Sequence, residues 1–336
     1  MSDAPPGWDD AAVRSPGGHV LQSSAWANLR EAQGWRAEFV PMGDPLPVAL
    51  VLWRALPGGQ RIGYVPRGPI VAGPPQLAAA LARLATIARE RRAVFLKVDP
   101  EIDADAAAVP LRAAGFRRAP DIQPVIATLE LDLSPDEDTL FGALEKDTRW
   151  SVRQAEKRGV SVREASGDRD LRALYELYAE TGRRAGFITR TWDYYQRMWG
   201  TLVEAGHARV RLAEREGRAV AGALTWRCGE REVYQSAATN DEGRTAHAAY
   251  ALLWRCIIEG RTHGARRFDF GGIPLDLTRK DDPMYGPYLF KKGFGGTARR
   301  FAGAHDAVPR ELAYRAYAVA EPIYTAALRL AGRVRA

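Results

Sequence analysis

Two stretches far apart in this chain present the same order of elements, and a repeat of that kind restricts the fold more than any single motif. Within segment 47–100 the chain reads "PVALVLWRALPGGQRIGYVPRGP", then the Ala/Leu-rich run "PPQLAAALARLATIARERR", then "AVFLKVDPEI". Segment 219–274 reads "AVAGALTWRCGEREVYQSAATN", then "AHAAYALLWRCIIEGRTHG", then "ARRFDFGGIP". Each copy gives an apolar strand ending in Trp-Arg, a Gly-bearing turn, a strand with a central Tyr, an amphipathic helix and a strand ending in Asp. Trp53 thus pairs with Trp226, Tyr64 with Tyr234 and Asp99 with Asp269. Strand, strand, helix, strand is an α/β (α+β) pattern, and its repetition predicts two similar mixed-sheet domains. The division is expected at 1–145 and 146–336, the second domain carrying a helical tail.

The 336 residues, 46% of them hydrophobic, suffice for two cores. Apolar runs such as "PLPVALVLW" stop well short of the roughly 20 residues that cross a bilayer. "MSDAPPGWDD" lacks the basic and then apolar order of a secretory signal, so a cytoplasmic protein is expected. Cys228 and Cys256 form no C-x-x-C, and the five histidines never recur at metal-ligand spacing, so neither metal nor disulfide is expected. A net charge of +7 points to anionic partners: nucleic acid, phosphorylated metabolites or an anionic membrane face.

Between the copies, "DTLFGALEKDTRWSVRQAEKRGVSV" reads as a helix stopped at Gly159, with Arg149, Arg153 and Lys157 on one face. That stripe is either solvated or a surface tracking phosphates. Two more helices follow in "DLRALYELYAETGRRAGF" and "RTWDYYQRMWGTLVEAG", and the tail from Pro309 reads as helical and ends basic in "ALRLAGRVRA".

Three further places carry chemistry. "GYVPRGP" sets Tyr64 and Arg67 in a rigid turn, either facing a cleft or serving the turn alone. Asp99 ends an apolar strand before a proline, where a carboxylate caps a turn or meets a ligand. In "GPYLFKKGFGG", Lys291 and Lys292 stand among aromatic residues; an extended segment or turn would send them to opposite faces, one inward. The repeat suggests the GNAT acyltransferase fold, whose acetyl-CoA enzymes cradle pyrophosphate on a Gly-rich turn before a helix. Here that turn reads "TNDEGRTAHAAY", without the R/Q-x-x-G-x-G/A spacing, which disfavours CoA.

Eight strings in order carry a family resemblance: "HVLQSSAWANLREAQGW", "GYVPRGP", "FLKVDPEI", "IQPVIATLELDL", "TRWSVRQAEKRGVSV", "GFITRTWDYY", "RFDFGGI" and "YLFKKGFGG". Together they resemble the Fem family (FemABX), aminoacyl-tRNA-dependent peptidyltransferases that add amino acids to peptidoglycan precursors. The resemblance covers most of the chain and implies two GNAT-like domains with a groove for the precursor and the aminoacyl-tRNA end. Arg30, Arg190 and Tyr194 look like the groups holding the diphosphate and sugar of a muropeptide, with Tyr64, Arg67 and Tyr234 in the same substrate-binding set. Phe290 and Lys291 look like the transfer centre, and Asp99 matches a carboxylate near the attacking amine.

Arg149, Arg153, Lys157 and Lys292 would meet tRNA, and the glycines at 293, 295 and 296 would leave room for its end. The implied partners are aminoacyl-tRNA and a UDP-linked or lipid-linked precursor, the latter allowing peripheral contact with the inner membrane face; no cofactor is implied, and a monomer is expected. Two departures stand out. The long helical arm of larger members is absent, and Arg30 replaces an expected Lys. Two other functions fit the residues: an acyl-CoA N-acyltransferase on the same fold, or a non-catalytic basic protein binding RNA or a membrane surface.

Overall fold

The computed structural model describes residues 3–330, so the basic end of the tail at Arg333 and Arg335 lies outside the described residues. The first sheet holds β1 (Arg36–Pro41), β2 (Val48–Leu56), β3 (Gln60–Val65), β4 (Leu96–Val98) and β5 (Arg117–Arg118). The second holds β6 (Ala127–Asp132), β7 (Val160–Glu164), β8 (Ala208–Arg215), β9 (Arg218–Cys228), β10 (Arg231–Thr239), β11 (Arg267–Gly272) and β12 (Thr297–Arg300). A last strand, β13 (His305–Ala307), returns to the first sheet between β4 and β5.

The repeat is realised strand for strand. β2 and β3 form an antiparallel hairpin, the helix Pro74–Glu90 crosses over, and β4 joins β3 in parallel. β9 and β10 form the second hairpin, Ala248–Thr262 crosses over, and β11 joins β10 in parallel. Hairpin register is shared: Tyr64 lies opposite Leu52, just before Trp53, and Tyr234 opposite Thr225, just before Trp226. Register to the third strand is not. Tyr64 is level with Lys97, two residues short of Asp99, whereas Val233, one residue before Tyr234, is level with Asp269. The two aspartates that the sequence pairs therefore sit at different depths.

The sheets do not divide at residue 145. β6 precedes that point yet pairs with β11 and β12, and β13 follows it by far yet pairs with β4 and β5. Chain segments are thus exchanged between the halves at both ends. Packing joins them further: one apolar core combines Trp8, Val20 and Leu21 of the amino-terminal segment with Leu50 and Leu52 of β2 and Leu224 and Trp226 of β9. Gln22 pins this segment to the first sheet, donating to the Pro66 carbonyl at 2.6 Å and accepting from the Leu50 amide at 2.7 Å. Each sheet's other face has its own core, under Leu77, Leu81 and Leu84 in one half and Leu252, Leu253 and Ile257 in the other.

Two local expectations change. The segment from residue 138 is two helices, Glu137–Ala143 and Lys146–Lys157, before the chain turns at Gly159 (φ 75°). "YGPYLFKK" is a helix, Tyr285–Lys292, and not an extended strand or turn. Pro287 falls in its first turn, where the amide it lacks would have no helical partner.

Candidate active site

The parallel strand pair of each half delivers one carboxylate to the junction between the sheets. Asp99, just past β4, is buried and accepts from the Tyr64 hydroxyl at 2.8 Å and from the Arg67 amide at 2.6 Å. Gln123 Nε2 donates to the Tyr64 oxygen at 3.0 Å. Burial pushes the Asp99 carboxyl up to about 6 against the pull of Arg67 and its hydrogen bonds. Burial and the neighbouring Asp99 charge push the Tyr64 hydroxyl well above its ordinary range, so it stays a donor.

Asp269 on β11 is equally buried, bonded to Thr128 Oγ1 and to the Gly271 amide at 2.7 Å. Burial raises it to about 6, with Arg231 opposing. Arg231 spans the junction: its Nη2 meets Glu101 Oε2 at 2.6 Å and its Nη1 meets Asp269 Oδ2 at 3.3 Å and Glu130 Oε1 at 3.5 Å. Arg67 approaches Glu101 from the other side at 3.3 Å. Burial would raise Glu101, but the two guanidiniums outweigh it and hold it well below the carboxylate range. His19 lies 3.7 Å from Glu101; burial lowers it to about 3, so it enters this network neutral.

Lys291 closes the constellation from the helix Tyr285–Lys292. Its Nζ donates to the Gly272 carbonyl at 2.6 Å, at the end of β11, and the residue is buried while Lys292 is exposed. Burial lowers the Lys291 ammonium to about 8, with Asp269 opposing. A buried ammonium with one carbonyl partner keeps two N–H donors free for an oxyanion. Phe290 stands half-buried beside it, its ring 4.9 Å from that of Tyr250.

A second group lies around the helix Ser24–Glu31. The Arg30 guanidinium stacks over Trp26 at 5.7 Å and Trp35 at 5.1 Å, and Arg54 covers Trp35 at 5.6 Å. Burial lowers Arg30, with Tyr194 and Tyr64 opposing and Arg54 and Arg190 adding to the effect, so these side chains form one basic, aromatic group. Arg190 stacks on Tyr194 at 5.5 Å and is exposed.

Several nominated residues have other employment. Tyr234 is packed in the second core against Phe268, so it does not share the groove with Tyr64. Arg67 is buried in the ionic network and bonds the Val125 carbonyl at 2.7 Å; it lines no open cleft. Arg149 is spent on the carbonyls of Gly142 and Leu144, at 2.6 and 3.0 Å, capping the preceding helix. Arg153 stacks on Phe141 at 5.1 Å and, with Lys157, remains exposed. Gly293 makes room for the chain's own Thr148, whose Oγ1 lies 2.1 Å from where a Cβ would sit, and Gly295 and Gly296 turn the chain at φ of 90° and 101°. Sequence reasoning missed Glu101, Arg231, Gln123 and Arg54. Only Glu101 had a local signal, two residues past Asp99 in "VDPEI".

The GNAT fold implies a CoA site at the turn after β10, and the residues there do not fit one. The turn is the helix Asp241–Thr245, capped by Asn240 on the Gly243 amide at 2.8 Å and acidic at Asp241 and Glu242. The amides of Asn240, Arg244, Ala246 and His247 are also spent on chain carbonyls. A pyrophosphate would meet two carboxylates and few free amides.

The fold defines an acyltransferase of tandem GNAT type, and the junction, to which both halves contribute, is its candidate centre. A GNAT acetyltransferase domain matches residues 144–291, and the FemAB family matches residues 9–111. The FemAB match and the end-to-end likeness that follows support membership of the Fem family. It is 26% identical over 402 aligned residues to the lipid II:glycine glycyltransferase of Staphylococcus aureus (strain USA300), covering 95% of each chain. The crystal structure of FemX superposes with a TM-score of 0.82 at 24% identity, covering 95% of this chain and 98% of that one. The C-terminal domain of a putative lysylphosphatidylglycerol synthetase from Agrobacterium fabrum follows at 0.59 and 15%, covering 94% and 95%. These two likenesses are of fold.

Proposed function

We propose that this protein adds an amino acid to an amine on the stem peptide of a peptidoglycan precursor, taking the aminoacyl group from its ester on tRNA. The observation that carries the reading is the end-to-end similarity to a lipid II:glycine glycyltransferase. That relative's name also supports the lipid-linked over the UDP-linked precursor as acceptor, and hence work at the inner membrane face. Among the described residues no helix is long and apolar enough to cross a membrane. The closed turn after β10 argues against an acyl-CoA donor. Both halves of one chain build the centre, which suits a monomer.

The geometry supports a division of labour. The basic group of Arg30, Arg54 and Arg190 holds the diphosphate, and Tyr194 the sugar. The acceptor amine attacks the ester carbonyl; a C–N bond forms, and the C–O bond to ribose breaks on collapse of the tetrahedral oxyanion. Lys291 donates to that oxyanion, a role worth about 3 kcal/mol for one well-placed donor. Asp99 accepts the proton the amine sheds, and the departing ribose oxygen takes up a proton in turn. The exposed Arg153, Lys157 and Lys292 meet the tRNA backbone. Incubation with labelled aminoacyl-tRNAs and each precursor should give a labelled peptide product. No transfer to either acceptor, across a full set of charged tRNAs, overturns the reading.

A further inference from the structure

On the first half, six exposed arginines converge outside the site described above. Arg36, Arg61, Arg89, Arg91, Arg92 and Arg310 line three adjoining recesses whose acidic lining, among the described residues, is Glu38 and Glu90. Glu38 is taken by Arg91 at 2.6 Å and Glu90 by Arg83 at 3.4 Å. Arg36, Arg61, Arg92 and Arg310 have no carboxylate partner among the described residues. Such a concentration of like charge repels itself unless an anionic surface covers it.

Its two borders say which surface. On one side Arg36 follows Trp35, the ring flanked by Arg30 and Arg54 in the group assigned to the diphosphate. On the other, Arg310 leads into the helix Glu311–Leu330. That helix packs Tyr314 and Tyr317 inward on Phe95, with ring centroids 5.5 and 5.2 Å away. Leu312 and Val319, seven residues apart and so on one face, stand 83% and 68% exposed. Aliphatic side chains beside arginines suit the boundary between lipid headgroups and acyl chains. They offer nothing to a nucleic-acid backbone, which asks for cations and stacking rings.

We propose that this arginine face and the outer side of the carboxy-terminal helix dock on an anionic phospholipid leaflet. Resting on the lipid-linked acceptor reading, this sets the group of Arg30 and Arg54 beside the membrane, where the diphosphate of such an acceptor lies. The Tyr64–Asp99 pair then stands off the surface: Arg61 and Tyr64 are three residues apart on β3, roughly 10 Å.

The test is co-sedimentation of the full chain with vesicles of pure phosphatidylcholine or an equimolar mixture with phosphatidylglycerol. The protein should partition onto the anionic vesicles and not the neutral ones, and salt should release it. The triple substitution Arg61→Gln, Arg92→Gln, Arg310→Gln should lower partitioning on the order of 100-fold, from roughly fivefold per basic residue. Leu312→Ser with Val319→Ser should lower it by a smaller factor. Thermal unfolding serves as the folding control and should not change. Equal binding to both vesicles, or an unaffected triple variant, overturns the proposal. So does loss of affinity for uncharged tRNA in the triple variant without vesicle binding by the parent chain. Vesicle binding by a chain that transfers nothing would keep this surface and sink the proposed activity.

Discussion

The two halves share a hairpin, a crossover helix and a parallel third strand, yet they use them for different chemistry. In the first, the central tyrosine reaches a buried carboxylate: Tyr64 donates to Asp99 at 2.8 Å. In the second, Tyr234 occupies the same hairpin register and is packed into an apolar core, while Asp269 turns to Thr128, Gly271 and Arg231. The cause is the third-strand register, which carries Asp99 beyond its strand end and leaves Asp269 within the sheet. Duplication supplied the scaffold, and a register difference separated a candidate proton acceptor from a structural anion.

The largest effect should come from cutting what connects the halves. Arg231 is buried and compensates Glu101 from the first half and Asp269 and Glu130 from the second. Arg231→Met leaves those carboxylates facing one another without their shared cation, at a cost of about 3–5 kcal/mol. Urea unfolding should show that loss, with Arg231→Lys intermediate. A loss below about 1 kcal/mol would mean that the halves are held by the apolar core alone.

Next in size is the second half's own contribution to chemistry. Lys291→Met should lower single-turnover rates by about 10²–10³-fold with acceptor affinity nearly kept. The pH profile sharpens this. The proposed roles require Asp99 ionised and Lys291 protonated, so with the groups near 6 and 8 the rate should rise through pH 6 and fall through pH 8. Lys291→Met should remove the upper limb. Because Asp269 also lies near 6, Asp269→Asn is the control: the lower limb should persist if Asp99 carries it. Loss of that limb in Asp269→Asn would reverse the roles assigned to the halves.

A smaller effect tests the tyrosines directly. Tyr64→Phe removes a donor from a buried carboxylate and should cost about 1–3 kcal/mol, or raise the lower pH limb. Tyr234→Phe should change stability by no more than about 0.5 kcal/mol and leave the profile unmoved. Equal effects at both positions would break the distinction between the halves.

What the sequence made legible follows the same division. Hairpins, crossover helices and the tyrosine register could be read because they depend on local alternation and helical periodicity. The exchange of β6 and β13 could not, since a three-residue strand such as His305–Ala307 carries no local mark of its partner. Asp99, Tyr64 and Lys291 carry local sequence signals, and the structure pairs Tyr64 with Asp99 while Lys291 stands at the end of β11; Arg231, the group that joins the halves, carries none. Its position in "GEREV" looks like any exposed hairpin turn until the other sheet covers it. The helix at Tyr285–Lys292 was obscured by Gly286 and Pro287, which signal a turn everywhere except in the first helical turn.

The smallest effect concerns the basic stripe of the second half. Arg149, Arg153 and Lys157 look equivalent by spacing, but only the latter two are exposed, and Arg149 holds the end of the preceding helix through two carbonyls. Arg153→Gln and Lys157→Gln should each weaken tRNA binding a few-fold and lower the salt slope by about one, as loss of a single phosphate contact does. Arg149→Gln should leave the slope unchanged and instead lower thermal stability slightly, since two carbonyls at the end of the preceding helix, one exposed and one part-buried, lose their donor. A reversed pattern, with Arg149 setting the slope, would mean that the helix Lys146–Lys157 reorients when RNA binds. The stripe would then belong to a moving element of the second half, and not to the fixed frame that the shared core gives to both.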